Sequence, residues 1–205
     1  MRFYLSSFKI GKEILRLKEL INLKKKVAYI PNAVDHVKYD NQSDSMEESG
    51  LYLQNELGLD VEFLDLKDYF QNTEALKRKI QEYGTFWVRG GNVFILRRAM
   101  KLSGFDDLLT GLVKDENLVY GGYSAGCCVL SPHLNGFELV DDKDINPYSN
   151  KSNTIWEGLN ILDYSFIPHF ESNHPESDRI ANVVKYCIEN EIPHRKFKDG
   201  EVCVM

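Results

Sequence analysis

Apolar runs of strand length alternate with stretches of helical period along most of the chain, and this rhythm restricts the fold more than any single motif. RFYL (residues 2–5) reads as a short strand, and GKEILRLKELINL as a helix with Ile14, Leu15, Leu17, Leu20 and Ile21 at its apolar positions. VAYIP is a buried strand. A polar loop opened by Asn32 and Ala33 then leads to a helix over DSMEESGLYLQNELG, closed by Gly58. The unit recurs: VEFLDL is a strand, TEALKRKIQEYG a helix capped by Thr73 and stopped at Gly84, and TFWVRGG a strand. VFILRRAMKLSG and DDLLTGLVKDE predict successive helices before the strand that ends in LVY.

Alternation of this kind predicts an α/β three-layer sandwich, flavodoxin-like, whose mostly parallel sheet carries helices on both faces. Working groups collect at the carboxyl ends of such strands. The glycine-rich ends RGG and GGYSAG should therefore open onto one edge. Residues 131–158 loosen into a long polar loop region. LDYSFIPHF follows as a strand ending at His169, ESDRIANVVKYCIENEI as a helix, and HRKFKDGEVCVM as two short strands about an Asp199-Gly200 hairpin turn. No repeat or linker divides the chain, so residues 1–205 are expected to form one domain.

Gly122-Tyr123-Ser124-Ala125-Gly126 has the GxSxG pattern of a nucleophile elbow. A serine projected from a strained strand-to-helix turn needs glycines on either side, because a Cβ there would meet the neighbouring strand or helix. The Ala125 N–H is then placed as an oxyanion donor, and Gly90 and Gly91 offer the second, a backbone N–H that no side chain covers. By itself GxSxG is equally compatible with a plain turn carrying a surface serine.

A serine nucleophile needs a base and a group to orient that base. His36, His133, His174 and His194 lie in loops or polar turns, whereas His169 stands at the end of an apolar strand beside Pro168, on the expected working edge. For the orienting carboxylate, Asp199 lies in a turn after the histidine and Asp141 and Asp142 in the loop after the serine, with Glu201 a weaker choice. A formal charge of −6 makes neither nucleic acid nor an anionic membrane an expected partner. Lys24-Lys25-Lys26 reads as the solvated end of a helix. The 4 cysteines, two of them adjacent, suit buried reduced thiols better than a disulfide framework or a zinc site. The N-terminal apolar run is short for a signal peptide, and no stretch approaches the roughly 20 apolar residues of a membrane span. The expected location is the cytoplasm, and monomer and homodimer are equally open.

VRGGNVF (residues 88–94), GYSAG (122–126), IPHF (167–170) and KDGE near the C-terminus occur in an order and spacing that resemble the peptidase E family of serine peptidases, which includes aspartyl dipeptidases and cyanophycinases. The resemblance covers nearly the whole chain and implies a class I glutamine amidotransferase-like fold. It implies Ser124 as nucleophile, His169 as general base, Asp199 as third triad member and Gly91 with Ala125 as the oxyanion pair. The family commonly has Glu where Asp199 stands, and a functionally important aspartate after the elbow, matched by Asp141 or Asp142. Aspartyl dipeptidases of the family read the substrate's acidic side chain with an arginine, and Glu176 stands at the matching place here, with Arg179 the nearest arginine. Arg89 replaces the first glycine of the family's GGGN turn, beside Asn92, so Arg89, Asn92, Glu176 and Arg179 are the expected substrate contacts.

The resulting expectation is dipeptidase-like hydrolysis of short peptides through an acyl-enzyme, with an N-terminal acidic residue one candidate for the substrate's first position, without metal or cofactor. An α/β-hydrolase esterase shares GxSxG but takes its acid between serine and histidine, where Asp141, Asp142, Asp144, Glu157 and Asp163 lie. A non-catalytic small-molecule or partner-binding member of the same fold is the third reading, motivated by the departures at Arg89 and Glu176.

Overall fold

The computed structural model describes residues 1–21, 26–38, 48–148 and 153–205. Its central sheet has six strands in the order β3-β2-β4-β5-β1-β8. These are β1 (Arg2–Ser6), β2 (Lys26–Ile30), β3 (Val61–Phe63), β4 (Tyr83–Val88), β5 (Val119–Tyr123) and β8 (Val202–Val204). All pairings are parallel except that of β8 with β1. The helices are α1 (Ile14–Leu20), α2 (Glu48–Asn55), α3 (Thr73–Lys79), α4 (Val93–Ser103), α5 (Phe105–Leu112), the short α6 (Ala125–Cys128) and α7 (Ser177–Glu189).

Period-two alternation sorts the strand side chains onto two faces. Leu5, Ala28, Ile30, Phe86, Val88 and Tyr120 belong to the larger core, where α4 and α5 contribute Leu96, Met100, Phe105 and Leu109. Their neighbours Tyr4, Val27, Tyr29 and Trp87 form the opposite core with Leu17 of α1 and Leu53 of α2. The chain is thus the α/β three-layer sandwich that the alternation predicts.

Several local readings are corrected. Asn72, not Thr73, caps α3, accepting from the Ala75 N–H at 3.3 Å. Gly84 does not stop that helix; it lies inside β4, which follows a single 3-10 turn over Ile80–Glu82. The helix read over residues 44–58 is described only from Glu48, and Lys24 and Lys25 of the basic run lie outside the described residues. The largest correction is at the C-terminus. Asp199-Gly200 does not turn a hairpin: β7 (His194–Lys196) pairs in parallel with β6 (Ser165–Ile167) in a separate two-stranded sheet, and β8 joins the central sheet. Tertiary pairing overrides the local turn signal here, because β8 covers the edge of β1 that would otherwise lie open.

This rearrangement positions the site. Parallel pairing aligns Ile167 with Lys196, so β6 and β7 release the chain side by side, two residues before His169 and three before Asp199. Antiparallel pairing sets Val202 opposite Ser6, which brings the segment before β8 to the carboxyl end of β1. Ser7 N–H donates to Glu201 O at 3.1 Å. Residues 7, 169 and 199 therefore meet at the edge where β5 ends at Tyr123.

Candidate active site

Ser124 follows β5 with φ 48° and ψ −120°, a backbone conformation that a residue with a Cβ adopts only under about 1–3 kcal/mol of strain. The turn is held from both sides. Ser124 N–H donates to Ser6 O at 3.3 Å, and Cys127 and Cys128 N–H return to Ser124 O at 2.8 and 2.9 Å. A Cβ on Gly122 or Gly126 would lie 2.6 or 2.4 Å from Val88 O, so the elbow packs on β4 only because both positions are glycine.

The β4 end reaches the same place. A Cβ on Gly90 would stand 3.0 Å from the Ser124 Cβ, so the Arg89-Gly90-Gly91 turn lies against the serine. Gly91 is exposed, has φ 146°, and its backbone abuts Ala33 O. Ala125 opens α6, where an N–H has no intrahelical acceptor. Asn92 is buried and faces inward. Its Oδ1 accepts from Phe94 and Ile95 N–H at 2.9 and 3.1 Å, capping α4, and its Nδ2 donates to Asp142 O at 2.8 Å. Asn92 therefore ties the loop after the elbow to α4. Arg89 is half-buried at the turn.

His169 is buried, at 1 % exposure, and its backbone is left-handed, with φ 58°. Its Nδ1 lies 2.7 Å from Asp199 Oδ1. The Asp199 turn is braced by two serines: its N–H donates to Ser172 Oγ at 2.8 Å, and the Ser7 hydroxyl lies 3.0 Å from Asp199 Oδ1. Ser7 Oγ also accepts from the His169 N–H at 2.8 Å. Burial lowers the His169 pKa below the ordinary imidazole value; the Asp199 hydrogen bond opposes that shift, and neighbouring His174 adds to it.

The other acidic candidates are placed elsewhere. Asp141 Oδ2 accepts from Val93 N–H at 2.8 Å, at the start of α4. Asp142 is exposed and uses Oδ1 to accept from Asp144 N–H at 2.9 Å. Glu201 Oε2 accepts from Lys198 N–H at 2.7 Å, closing the exposed turn before β8. Asp199 alone of the four approaches the His169 ring.

Beside Ser124 lies a small cavity walled by Ala125, Cys128, Pro168, Ile180, Asp141 and Glu176. Its free volume of ≈ 10 Å³ is about what one water requires. Burial pushes the Asp141 carboxyl up to about 7, helped by the charge of Glu176 and opposed by the Val93 N–H. Arg179 stands at the rim: it donates to Val140 O at 2.8 Å and approaches Glu176 Oε1 at 3.6 Å.

Ser7, Ser172, Phe8 and His174 escape the sequence reading. The signal for Ser7 and Phe8 was their position just past β1, since every strand end of a parallel sheet opens on the working edge. His169, His174 and Glu176 are the group among the described residues whose ligand atoms cluster within 4.8 Å, as a metal ion would require. The two rings, however, are parallel and 3.7 Å apart. An ion about 2 Å from both nitrogens would sit far outside both ring planes, so the arrangement fits a stack and not a ligand set.

A strained serine at the end of a parallel strand and a hydrogen-bonded His–Asp pair at the same sheet edge are features that a serine hydrolase requires. The chain belongs to Peptidase family S51, whose sequence pattern matches residues 7–201. It is therefore a serine peptidase of the peptidase E group. It is 29% identical over 164 residues to a Listeria monocytogenes protein named as an uncharacterized peptidase, covering 78% of this chain and 72% of the relative. A similarly named Listeria innocua protein is 27% identical over 150 residues, 72% of this chain and 66% of its own length. Among solved structures, a Listeria monocytogenes protein described as a peptidase E superposes with a TM-score of 0.73 at 23% identity, covering 100% of this chain and 97% of that one. A peptidase from an acI-B1 actinobacterium superposes with a TM-score of 0.66 at 19% identity, covering 100% and 82%. These superpositions establish the class I glutamine amidotransferase-like fold.

Proposed function

We propose that the protein hydrolyses short peptides with a free amino terminus through a Ser124-His169-Asp199 triad and an acyl-enzyme. The observation that carries this reading is the 2.7 Å contact between His169 Nδ1 and Asp199 at the edge that also bears the strained Ser124. With Nδ1–H directed at Asp199, Nε2 of the neutral ring holds the lone pair. Ser124 Oγ bonds to the peptide carbonyl carbon as its proton passes to Nε2, and the Gly91 and Ala125 N–H groups receive the oxyanion. The proton then leaves with the departing amine, and water repeats the sequence to release the acyl group.

The cavity supports a small acyl-side residue. Two carboxylates border it, and Asp141 is held near neutrality by burial and by Glu176. A compact cation such as the peptide's α-ammonium relieves that repulsion, whereas a carboxylate adds to it. Dipeptides beginning with aspartate should therefore be poor substrates. Glu176→Arg is expected to raise kcat/KM on aspartyl dipeptides about tenfold or more relative to alanyl dipeptides, since a charge-assisted pair replaces a repulsion. A panel of dipeptides differing in the first residue, run with wild type, Glu176→Arg and Ser124→Ala, tests both statements; preferred cleavage of aspartyl dipeptides by wild type would refute the assignment.

The buried state of His169 sets the acid limb. The base works only when neutral, and burial lowers its pKa, so kcat/KM should persist below the ordinary imidazole midpoint of 6.5 before falling. A rate profile from about pH 4 to about pH 9 measures it. A limb at or above the ordinary midpoint would argue against a desolvated base.

A further inference from the structure

The His169 ring has a partner on its face that the triad does not account for. His174, in the turn before α7, stacks on it with ring centroids 3.7 Å apart and planes within 6°. Phe8, just past β1, meets both imidazoles edge-on, at 5.7 Å from His169 and 5.3 Å from His174, each at 70°. The tautomer of each ring is set from outside the stack. His169 Nδ1 is engaged by Asp199 at 2.7 Å, and His174 Nδ1 accepts from the Glu176 N–H at 3.2 Å, which puts the proton of neutral His174 on Nε2.

An edge contact with a carboxylate fixes one end of an imidazole but leaves the ring free to swing about that contact. A parallel plate on its face removes that freedom. The plate also has an electrostatic consequence. During acyl transfer His169 becomes an imidazolium, which a neutral aromatic face favours. The charged groups around the stack are few: Glu176, whose Oε2 is 4.0 Å from His174 Nδ1; Arg179, paired with Glu176 at 3.6 Å; Asp199 on the far edge of His169; Asp141 across the cavity; and Lys9, whose Nζ lies 5.1 Å from the Phe8 ring centre.

We propose that His174 is a positioning residue for the catalytic histidine: its ring, stacked on the face of His169, holds that imidazole in its working orientation. The proposal rests on His169 acting as the base for Ser124.

The test compares wild type with His174→Phe, which keeps an aromatic plate, and His174→Ala, which removes it. Imidazole NMR resonances titrate His169 directly, without turnover. In His174→Phe the His169 midpoint should rise by about half a pH unit or more, because neighbouring His174 lowers it in the wild type. In rate measurements His174→Ala should lower kcat about tenfold with KM little changed, and His174→Phe should recover most of that loss with its acid limb moved to higher pH. A merely structural contact would move neither the midpoint nor the limb. Unshifted midpoints and profiles in an enzyme that Ser124→Ala silences would overturn the proposal alone. Hydrolysis that survives Ser124→Ala would overturn the serine mechanism beneath it.

Discussion

Ser124→Ala is expected to abolish peptide hydrolysis, with a loss in kcat of about 10⁶-fold, the scale seen when a triad nucleophile is removed. The expectation follows from placement. The strained backbone at Ser124, the glycines that let the turn lie on Val88, and the Gly90 turn against its side chain all serve to present this hydroxyl at the sheet edge. Ser124 is half-buried and belongs to neither core, so loss of its hydroxyl should leave the fold stable while removing the acyl acceptor. Peptide release followed by chromatography measures the rate, and thermal unfolding of the same sample shows that the variant is intact. A variant with more than about one hundredth of wild-type activity would place the nucleophile elsewhere.

Asp199→Asn carries the second largest expected effect, a fall in kcat of about 10⁴-fold with little change in KM. Asparagine keeps the shape of the side chain, but its amide can face His169 Nδ1 as a donor and favour the wrong tautomer. Ser7 already occupies the vicinity of Oδ1, at 3.0 Å, so the exchange also disturbs the hydroxyl that receives the His169 N–H. Asp199 reaches the ring at 2.7 Å, and Ser172 Oγ braces the turn by accepting from the Asp199 N–H at 2.8 Å. The same variant separates the peptidase from an esterase whose acid lies between serine and histidine: there, Asp199→Asn would leave the rate close to wild type. Asp141 offers no such alternative, since its carboxylate is committed to the Val93 N–H.

What was legible in the sequence was whatever local chemistry dictates. Glycines at 122 and 126 announce a turn that must lie on a strand, and the alternation of apolar runs announces a parallel sheet whose carboxyl edge bears the working groups. The placement of His169 at a strand end was legible because an apolar run ends beside it. The contacts that finish the site were not, since they join residues far apart in the chain. Ser7 meets Asp199 only because β8 runs antiparallel to β1, and the local Asp199-Gly200 signal argues for a hairpin that the edge of β1 outcompetes. His174 reads as one more polar turn residue until the chain folds it over His169. Asn92 shows the same limit: its position beside the glycine turn suggests a ligand contact, and nothing local announces that its side chain caps α4 and meets the loop carbonyl of Asp142.

The reactivity of one hydroxyl, that of Ser124, decides the mechanism. Treating the wild-type protein with a serine-reactive phosphonate, then mapping the adduct by peptide mass spectrometry, should give one modified residue, Ser124, with labelling strongly slowed by His169→Ala. A protein that stays unmodified at Ser124 while its fold is intact, or that is modified at another serine, would contradict the assignment of Ser124 as the nucleophile.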